Sequence, residues 1–302
     1  MRIVTNASSN LPESALRHYG IELVPSAMLV RGIRHDLRQG IGHDTIDRWV
    51  TEEGPFPSLA GASAQEFGET FRRLLAQDPQ VMVVLSSKRL IDSYVMAQAA
   101  ATRERQRRVE RTQRIAVVDS MTTDIASGLA TLVAAESARK GLGLEEVQNR
   151  IEDFAAAGHL CLYLDDMTRV WKSGRASLLK AWAAQVLRVR PLVGMIDGEL
   201  RAVGRAPAGA PPAEVVGSHL REILQPGEEG RRRIWVGIAH GGVPELALEC
   251  LQQLRELCDV EYSMVRPMSP ATYLYSGPRA LAVFVHPVDR LAVRLPVPPV
   301  FE

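Results

Sequence analysis

Only three cysteines, Cys161, Cys250 and Cys258, occur in the 302 residues, and no two are spaced as C-x-x-C. That spacing excludes a disulfide framework or a cysteine zinc site and leaves reduced packing residues, as expected in the cytoplasm. Charge of one sign is missing too. The 36 basic side chains are balanced by 35 acidic ones, a net of +1, so overall charge draws the chain to neither nucleic acid nor anionic membrane. No apolar run approaches the roughly 18 residues of a membrane span, and a charged residue follows Met1 at once, unlike a secretory leader. P-loop, G-x-G-x-x-G and G-x-S-x-G patterns are absent, which removes the familiar nucleotide cradles and the nucleophile elbow of α/β-hydrolases. The seven histidines are scattered, without H-E-x-x-H, so no metal site is expected. His240 ends a strand-like run and reads as structural.

What is present is an ordinary globular composition, 46% hydrophobic and 24% charged, enough for a large core. Residues 2–5, 81–85 and 115–118 are apolar runs without polar alternation, the pattern of strands buried on both faces of a parallel sheet. Helical patterns follow each, and strands alternating with helices give an α/β fold. Asn10 with Glu13 reads as a capping box for the first helix, which Gly20 closes. Ser63 with Glu66 reads as a second, opening a helix whose Phe67, Phe71, Leu74 and Leu75 face inward. Residues 32–43 read as a polar loop. Gly158 follows a helix over 144–157 and marks a boundary. We expect residues 1–157 to form an N-terminal α/β domain with a parallel sheet, and 158–302 a C-terminal α/β domain with a mixed or antiparallel sheet. Strands of the latter are expected at 159–164, 234–239, 260–265, 281–285 and 291–295. The arginine-rich run 103–114 also carries two glutamates and ends a predicted helix, where cations suit the dipole; it reads as a solvated helix end.

Three N-terminal strands finish in small polar residues: Asn6 and Ser8, Ser86 and Ser87, Asp119 and Ser120. In an open parallel sheet such ends gather on one edge, where ligands bind. The same residue types are also favoured at helix caps. An enzyme could use this edge, a transferase or hydrolase acting on an anionic substrate with Asp119 or Asp92 as general base.

The most informative stretch is 165–205. Leu178, Leu179, Trp182, Val186 and Leu187 recur at three-to-four-residue spacing and predict an amphipathic helix that Pro191 ends. Two β-rich runs then flank Asp197-Gly198, a pair suited to a two-residue hairpin turn. Arg175 falls in the first turn of that helix.

In order, Asp165-Asp166-Met167, Val170, Lys172, Gly174-Arg175, Arg190-Pro191-Leu192, Asp197-Gly198 and Gly204-Arg205 resemble the DegV family of bacterial lipid-binding proteins. That family's pattern is D-D-L-x-x-L-x-K-G-G-R-I, then K-P-I, D-G and G-K. Ile3-Val4-Thr5-Asn6-Ala7-Ser8 is similar to its I-V-T-D-S-S, and Leu85-Ser86-Ser87 with Ser93-Tyr94 to its I-S-S-x-L-S-G-T-Y. Val118-Asp119-Ser120 and Gly277-Pro278 follow in the family's order, so the resemblance spans nearly the whole chain. It implies a long-chain fatty acid held between two α/β domains, and in some members presented to a partner fatty acid kinase. It implies no cofactor beyond that ligand, and no metal. Carried over residue by residue, the head-group positions are Ser93, Arg175, Tyr275 and Ser276. The ligand-edge loops supply Asn6, Ser8, Ser63, Ser86, Ser87, Ile91, Asp119 and Ser120.

The chain departs from the family where the carboxylate would be held. The family's Thr-Ser pair falls on Leu59 and Ala60, its loop serine on Ile91 with Asp92 after it, and its histidine on Tyr275. Burying about 14 methylenes at roughly 0.8 kcal/mol each gives about 11 kcal/mol gross, so lost hydroxyls need not abolish binding. They change how the head is held, and open the site to a neutral lipid or an ester. A phenol, with an ordinary pKa near 10, does not exchange protons near neutrality as imidazole does, which argues against a phosphotransfer role. The expected function is a cytoplasmic fatty-acid carrier that is not itself an enzyme.

Overall fold

The computed structural model describes residues 1–107, 113–174, 190–207, 209–224, 231–291 and 293–295. The apolar runs of the N-terminal half become strands β1 (Arg2–Asn6), β2 (Glu22–Val24), β3 (Ala27–Val30), β4 (Ile33–Asp36), β5 (Ser58–Ala60), β6 (Gln80–Leu85) and β7 (Arg114–Asp119). Between and after them run helices α1 (Glu13–Tyr19), α2 (His43–Thr51), α3 (Ala64–Leu75), α4 (Ser93–Arg107), α5 (Asp124–Arg139) and α6 (Leu144–Ala157). The C-terminal half contributes β8 (His159–Tyr163), α7 (Thr168–Lys172), β9 (Arg190–Ile196), β10 (Glu199–Ala206), α8 (Pro212–Ile223) and β11 (Arg233–His240). It continues through α9 (Pro244–Leu257), β12 (Asp259–Pro267), α10 (Pro270–Ser276) and β13 (Leu281–Pro287).

Among the described residues the strands form three sheets. One is four-stranded, in the order β2-β1-β6-β7, and parallel throughout. The second is six-stranded, in the order β10-β9-β8-β13-β11-β12, antiparallel except for the parallel β11–β12 pair. A small antiparallel sheet, β4-β3-β5, sits beside them. The architecture is thus α/β, with a parallel sheet in the first half of the chain and a mixed sheet in the second.

Helix α5 lies between the two larger sheets. It is buried without a break from Asp124 to Ser137, as a helix must be when both of its sides meet a sheet. Its composition allows this: Ala126, Ala130, Ala134 and Ala135 keep it slim, while Ile125, Leu129, Leu132 and Val133 fill the gaps on either side. Gly237 of β11 is the corresponding concession on the sheet, since a Cβ there would lie 2.9 Å from Ile125 Cγ1. Helices α3 and α4 cover the outer face of the parallel sheet, and α8 and α9 that of the mixed sheet.

Polar contacts fasten the halves around this helix. Asp124, at φ 51° and fully buried, accepts from Asn10 Nδ2 (2.7 Å), the Ile125 amide (2.8 Å), and both the amide (3.1 Å) and Oγ (2.8 Å) of Ser269. Burial pushes its carboxyl pKa up, against the pull of hydrogen bonds from Thr272, Ser269 and Asn10. A second clasp joins α2 to α7 and α10. Arg169 pairs with Asp47, donates to the Tyr273 carbonyl (3.2 Å) and lies 5.0 Å from the Tyr273 ring centre. His43 stacks on the Tyr273 ring, with 3.6 Å between ring centres. The Tyr273 hydroxyl donates to Asp47 (3.0 Å), and its pKa is pushed up to about 12 by burial and by that carboxylate. The third clasp is Ser87, whose hydroxyl donates to the Gly198 carbonyl (2.6 Å) at the tip of the β9–β10 hairpin. Asp197 and Gly198 both take positive φ there (52° and 76°), as the sequence predicts for a two-residue turn.

Several expectations need correction. Asn10 does not cap α1: Pro12 holds the N-cap position, and the Asn10 amide reaches across to Asp124 and the Pro267 carbonyl. The 32–43 segment is not all loop, because residues 33–36 pair with β3 as β4. The described residues of 291–295 form no strand. Pro287 ends β13, whose two sides are already taken by β8 and β11, and Val293 and Leu295 are buried by packing instead. The predicted helix over 178–187 and Arg175 lie outside the described residues.

The Ser63–Glu66 capping box is present in both directions, with the Glu66 amide donating to Ser63 Oγ (3.2 Å) and the Ser63 amide to Glu66 (2.7 Å). Ser63→Ala is expected to cost about 1 kcal/mol in urea denaturation. Asp124→Asn is expected to cost about 1–3 kcal/mol at pH 7 in the same assay, because each carboxylate oxygen accepts from a backbone N–H and either orientation of the amide would set NH2 against one.

Candidate functional site

Between the carboxyl-end loops of the parallel sheet and one face of the mixed sheet is a partly open cavity of about 100 Å3. Its C-terminal wall follows from strand alternation. Leu162 and Leu164 point the same way along and just beyond β8, Val193 is the register partner of Leu162 on β9, and Leu200 of β10 extends the apolar face. Val170 of α7 and Ala271, Thr272, Tyr275 and Ser276 of α10 close that side. Ser8, Leu59, Ser86, Leu90, Ile91 and Thr123 supply the N-terminal wall. One step along the same sheet face, Leu160 and Met195 border a second cleft of about 400 Å3, beyond the hairpin tip.

Of the residues singled out from the sequence, Ser8, Ser86, Ile91, Tyr275 and Ser276 are brought together in this lining. Ser86 Oγ is buried with no hydrogen-bond partner. Asn6 ends β1 beside it, and both polar atoms of its amide are likewise buried and unpartnered. Arg175 lies outside the described residues, and the other described ones do not line the cavity. Ser63 caps α3, and Ser87 holds the hairpin. Ser93 is buried at the start of α4, where a Cβ on Gly61 would touch its Oγ. Asp119 accepts from the Met121 amide (2.8 Å) and faces Lys88 at 3.7 Å, while Ser120 Oγ turns to Thr122 and Ser127. Asp92 is exposed. His240 accepts from the Val243 amide at the start of α9 (3.2 Å); burial, then His43, lowers its pKa, which keeps Nδ1 free to accept.

The acidic pair that opens the 165–205 stretch is structural. Asp165 accepts from the Tyr163 hydroxyl (3.1 Å) and meets Arg190 (3.2 Å) and Arg279 (3.3 Å); Asp166 holds the first turn of α7 through Thr168. No group of three or more His, Cys, Asp or Glu side chains among the described residues could hold a metal ion. The chemistry on offer is therefore an aliphatic slot with scattered hydroxyls.

Sequence reasoning missed Thr123, Thr272 and the role of Asp124. A signal for α10 was present: Ser269-Pro270 is an N-cap serine followed by proline at the first helical position, and Ser269 Oγ does accept from the Thr272 amide (3.3 Å). Nothing local marks Asp124, whose side-chain partners Asn10 and Ser269 lie 114 and 145 residues away.

The model of the DegV family matches residues 1–288. A DegV domain-containing protein of Mycobacterium tuberculosis is 27% identical over 286 residues, 94% of this chain and 96% of that protein. The fatty acid-binding protein of Thermotoga maritima is 22% identical over 299 residues, covering 96% of this chain and 99% of its own. Among solved structures, a DegV family protein from Thermus thermophilus described for its fatty acid binding superposes with a TM-score of 0.84 at 23% identity, over 95% of this chain and 100% of that one. Because that match takes in nearly all of its 302 residues, the chain belongs to the DegV family.

Proposed function

We propose that this protein binds a fatty acid or a closely related single-chain lipid in the cavity between its two large sheets, and carries it without reacting with it. The observation that supports this most directly is the lining. Leu59, Leu90, Ile91, Leu162, Leu164, Val170, Val193 and Leu200 come from both halves of the chain and meet around one slot, and each apolar surface they cover on a ligand contributes roughly 25 cal/mol per Å2. The relatives from Thermotoga maritima and Thermus thermophilus, named for binding fatty acids, support the same reading. The alternative, an enzyme acting on an anionic substrate, draws less support, since Asp119 is engaged and Asp92 exposed, and neither lines the slot.

In this reading residues 1–157 and 158–302 are two lobes that enclose the ligand, although α5 and α6 of the first pack deeply against the sheet of the second. The three cysteines are free and buried, which fits a reducing compartment, and we place the protein in the cytoplasm. No helix among the described residues is long and apolar enough to cross a membrane. A separate fatty acid kinase would receive the lipid here without help from a histidine at position 275.

Native mass spectrometry of the protein purified from a bacterial host is expected to show a bound acyl lipid, released on denaturation. Ala271→Phe, which fills the slot from α10, is expected to lower acyl-chain affinity by at least ~10-fold, with the melting temperature within a few degrees of the parent. An empty parent protein that takes up no added acyl chain refutes the assignment.

A further inference from the structure

We propose that an acyl chain runs on past the hairpin tip, so that the second cleft receives its methyl end and the site as a whole favours long single chains over short ones. This rests on the lipid-carrier reading and extends its site. The floors of the two cavities belong to one apolar face. Leu164, Leu162 and Leu160 follow one another at two-residue spacing along β8 and its end, and Val193 and Met195 do so on β9. Leu162 and Val193 floor the first cavity, Leu160 and Met195 the second. Phe284, the register partner of Leu160 on β13, continues the face to Phe154 of α6, with 5.4 Å between ring centres. The charged side chains described around the second cleft, Glu152, His159 and Asp197, are exposed, which gives it an apolar floor and a polar rim. At about 100 Å3 the first cavity falls below the roughly 300–1,000 Å3 usual for small-molecule sites, and the second adds about 400 Å3.

What divides the cavities is thin. On the N-terminal side the boundary falls between chain neighbours: Ser86 and Thr123 line the first cavity, Met121 and Thr122 the second. Ser87 stands on that boundary, its amide donating to the Thr122 carbonyl (2.8 Å) and its hydroxyl to the Gly198 carbonyl (2.6 Å). Met121 packs against the same glycine, where a Cβ would come within 3.3 Å of the Met121 sulfur. The link from the N-terminal loops to the hairpin tip is thus one neutral hydrogen bond and one half-buried, unbranched side chain that changes rotamer readily. Releasing such a hydrogen bond costs no more than burying about two methylenes returns, so a chain long enough to reach the second cleft gains by passing.

The test is competition for a fluorescent acyl probe on the delipidated full-length protein, using dodecanoate and hexadecanoate, which differ only in length. Each buried methylene is worth about 4-fold in affinity, so hexadecanoate is expected to displace the probe at a concentration at least ~10-fold lower than dodecanoate does. Ala155→Trp, which fills the second cleft from a half-buried position on α6, is expected to bring the two acids within ~3-fold of each other and to leave dodecanoate unchanged. Hexadecanoate carrying a photoreactive diazirine at its methyl end is expected to label Met121, Phe154 or Met195 of the parent protein, read by tandem mass spectrometry, a result independent of how the variant folds. Equal binding of the two acids by the parent, a length preference that survives in folded Ala155→Trp, or label confined to first-cavity residues such as Leu59 and Val170 overturns the proposal and leaves the lipid-carrier reading standing. Failure of the probe and both acids to bind overturns the lipid-carrier reading itself and this proposal with it.

Discussion

The fold depends on one helix being wanted by two sheets. Helix α5 is buried on every side from Asp124 to Ser137, so neither sheet can shed it without exposing the apolar side chains that fill the space between them. Fully burying a side chain such as Ile125, Leu129 or Leu132 is worth about 1.5–3 kcal/mol, and these are spent on both halves at once. The start of the helix is fixed by Asp124, which ties it to Asn10 in the first half and to Ser269 in the second. Because every partner of Asp124 is a donor, the carboxylate is matched in hydrogen bonds although it is fully buried.

The cavity is a consequence of that wedge. With α5 holding the two sheets apart at one place, the loops at the carboxyl ends of β1 and β6 stand opposite the face of β8, β9 and β10 without filling the gap between them. The clasps around it, Ser87 on the hairpin tip and Arg169 with Asp47 and Tyr273, set the separation of its walls from two directions. Polar groups left unpartnered at the strand ends, Ser86 Oγ and the Asn6 amide, are tolerable where a ligand can meet them and costly where none can.

Family membership fixes the architecture and leaves the head group open. In this chain, positions 59 and 91 are aliphatic and line the slot, and position 275 is a tyrosine that does so as well. Fold and apolar slot follow from the chain's own apolar pattern. In the lipid-carrier reading, the polar end would be met by a handful of side chains, and the resemblance places aliphatic residues and a tyrosine at some of those positions.

Much of this was readable in advance because it is local. The buried runs at β6 and β7, the capping box at Ser63, the bounds of α6 and the Asp197-Gly198 turn each depend on residues a few positions apart, whose propensities and hydrogen bonds operate before any tertiary contact forms. The serines at the strand ends were visible as a group, and Ser8 and Ser86 do reach the cavity, but Ser63 and Ser87 are identical in kind and serve elsewhere, as a helix cap and a hairpin clasp. Asn10 shows why. Its sequence context suits a helix cap, and a carboxylate 114 residues away takes its side chain instead. Sequence by itself determined most element types and their alternation, since these follow from short-range periodicity. Only the tertiary structure decided which polar side chains face the slot and which are consumed as clasps, because that choice is made by partners brought together across the fold.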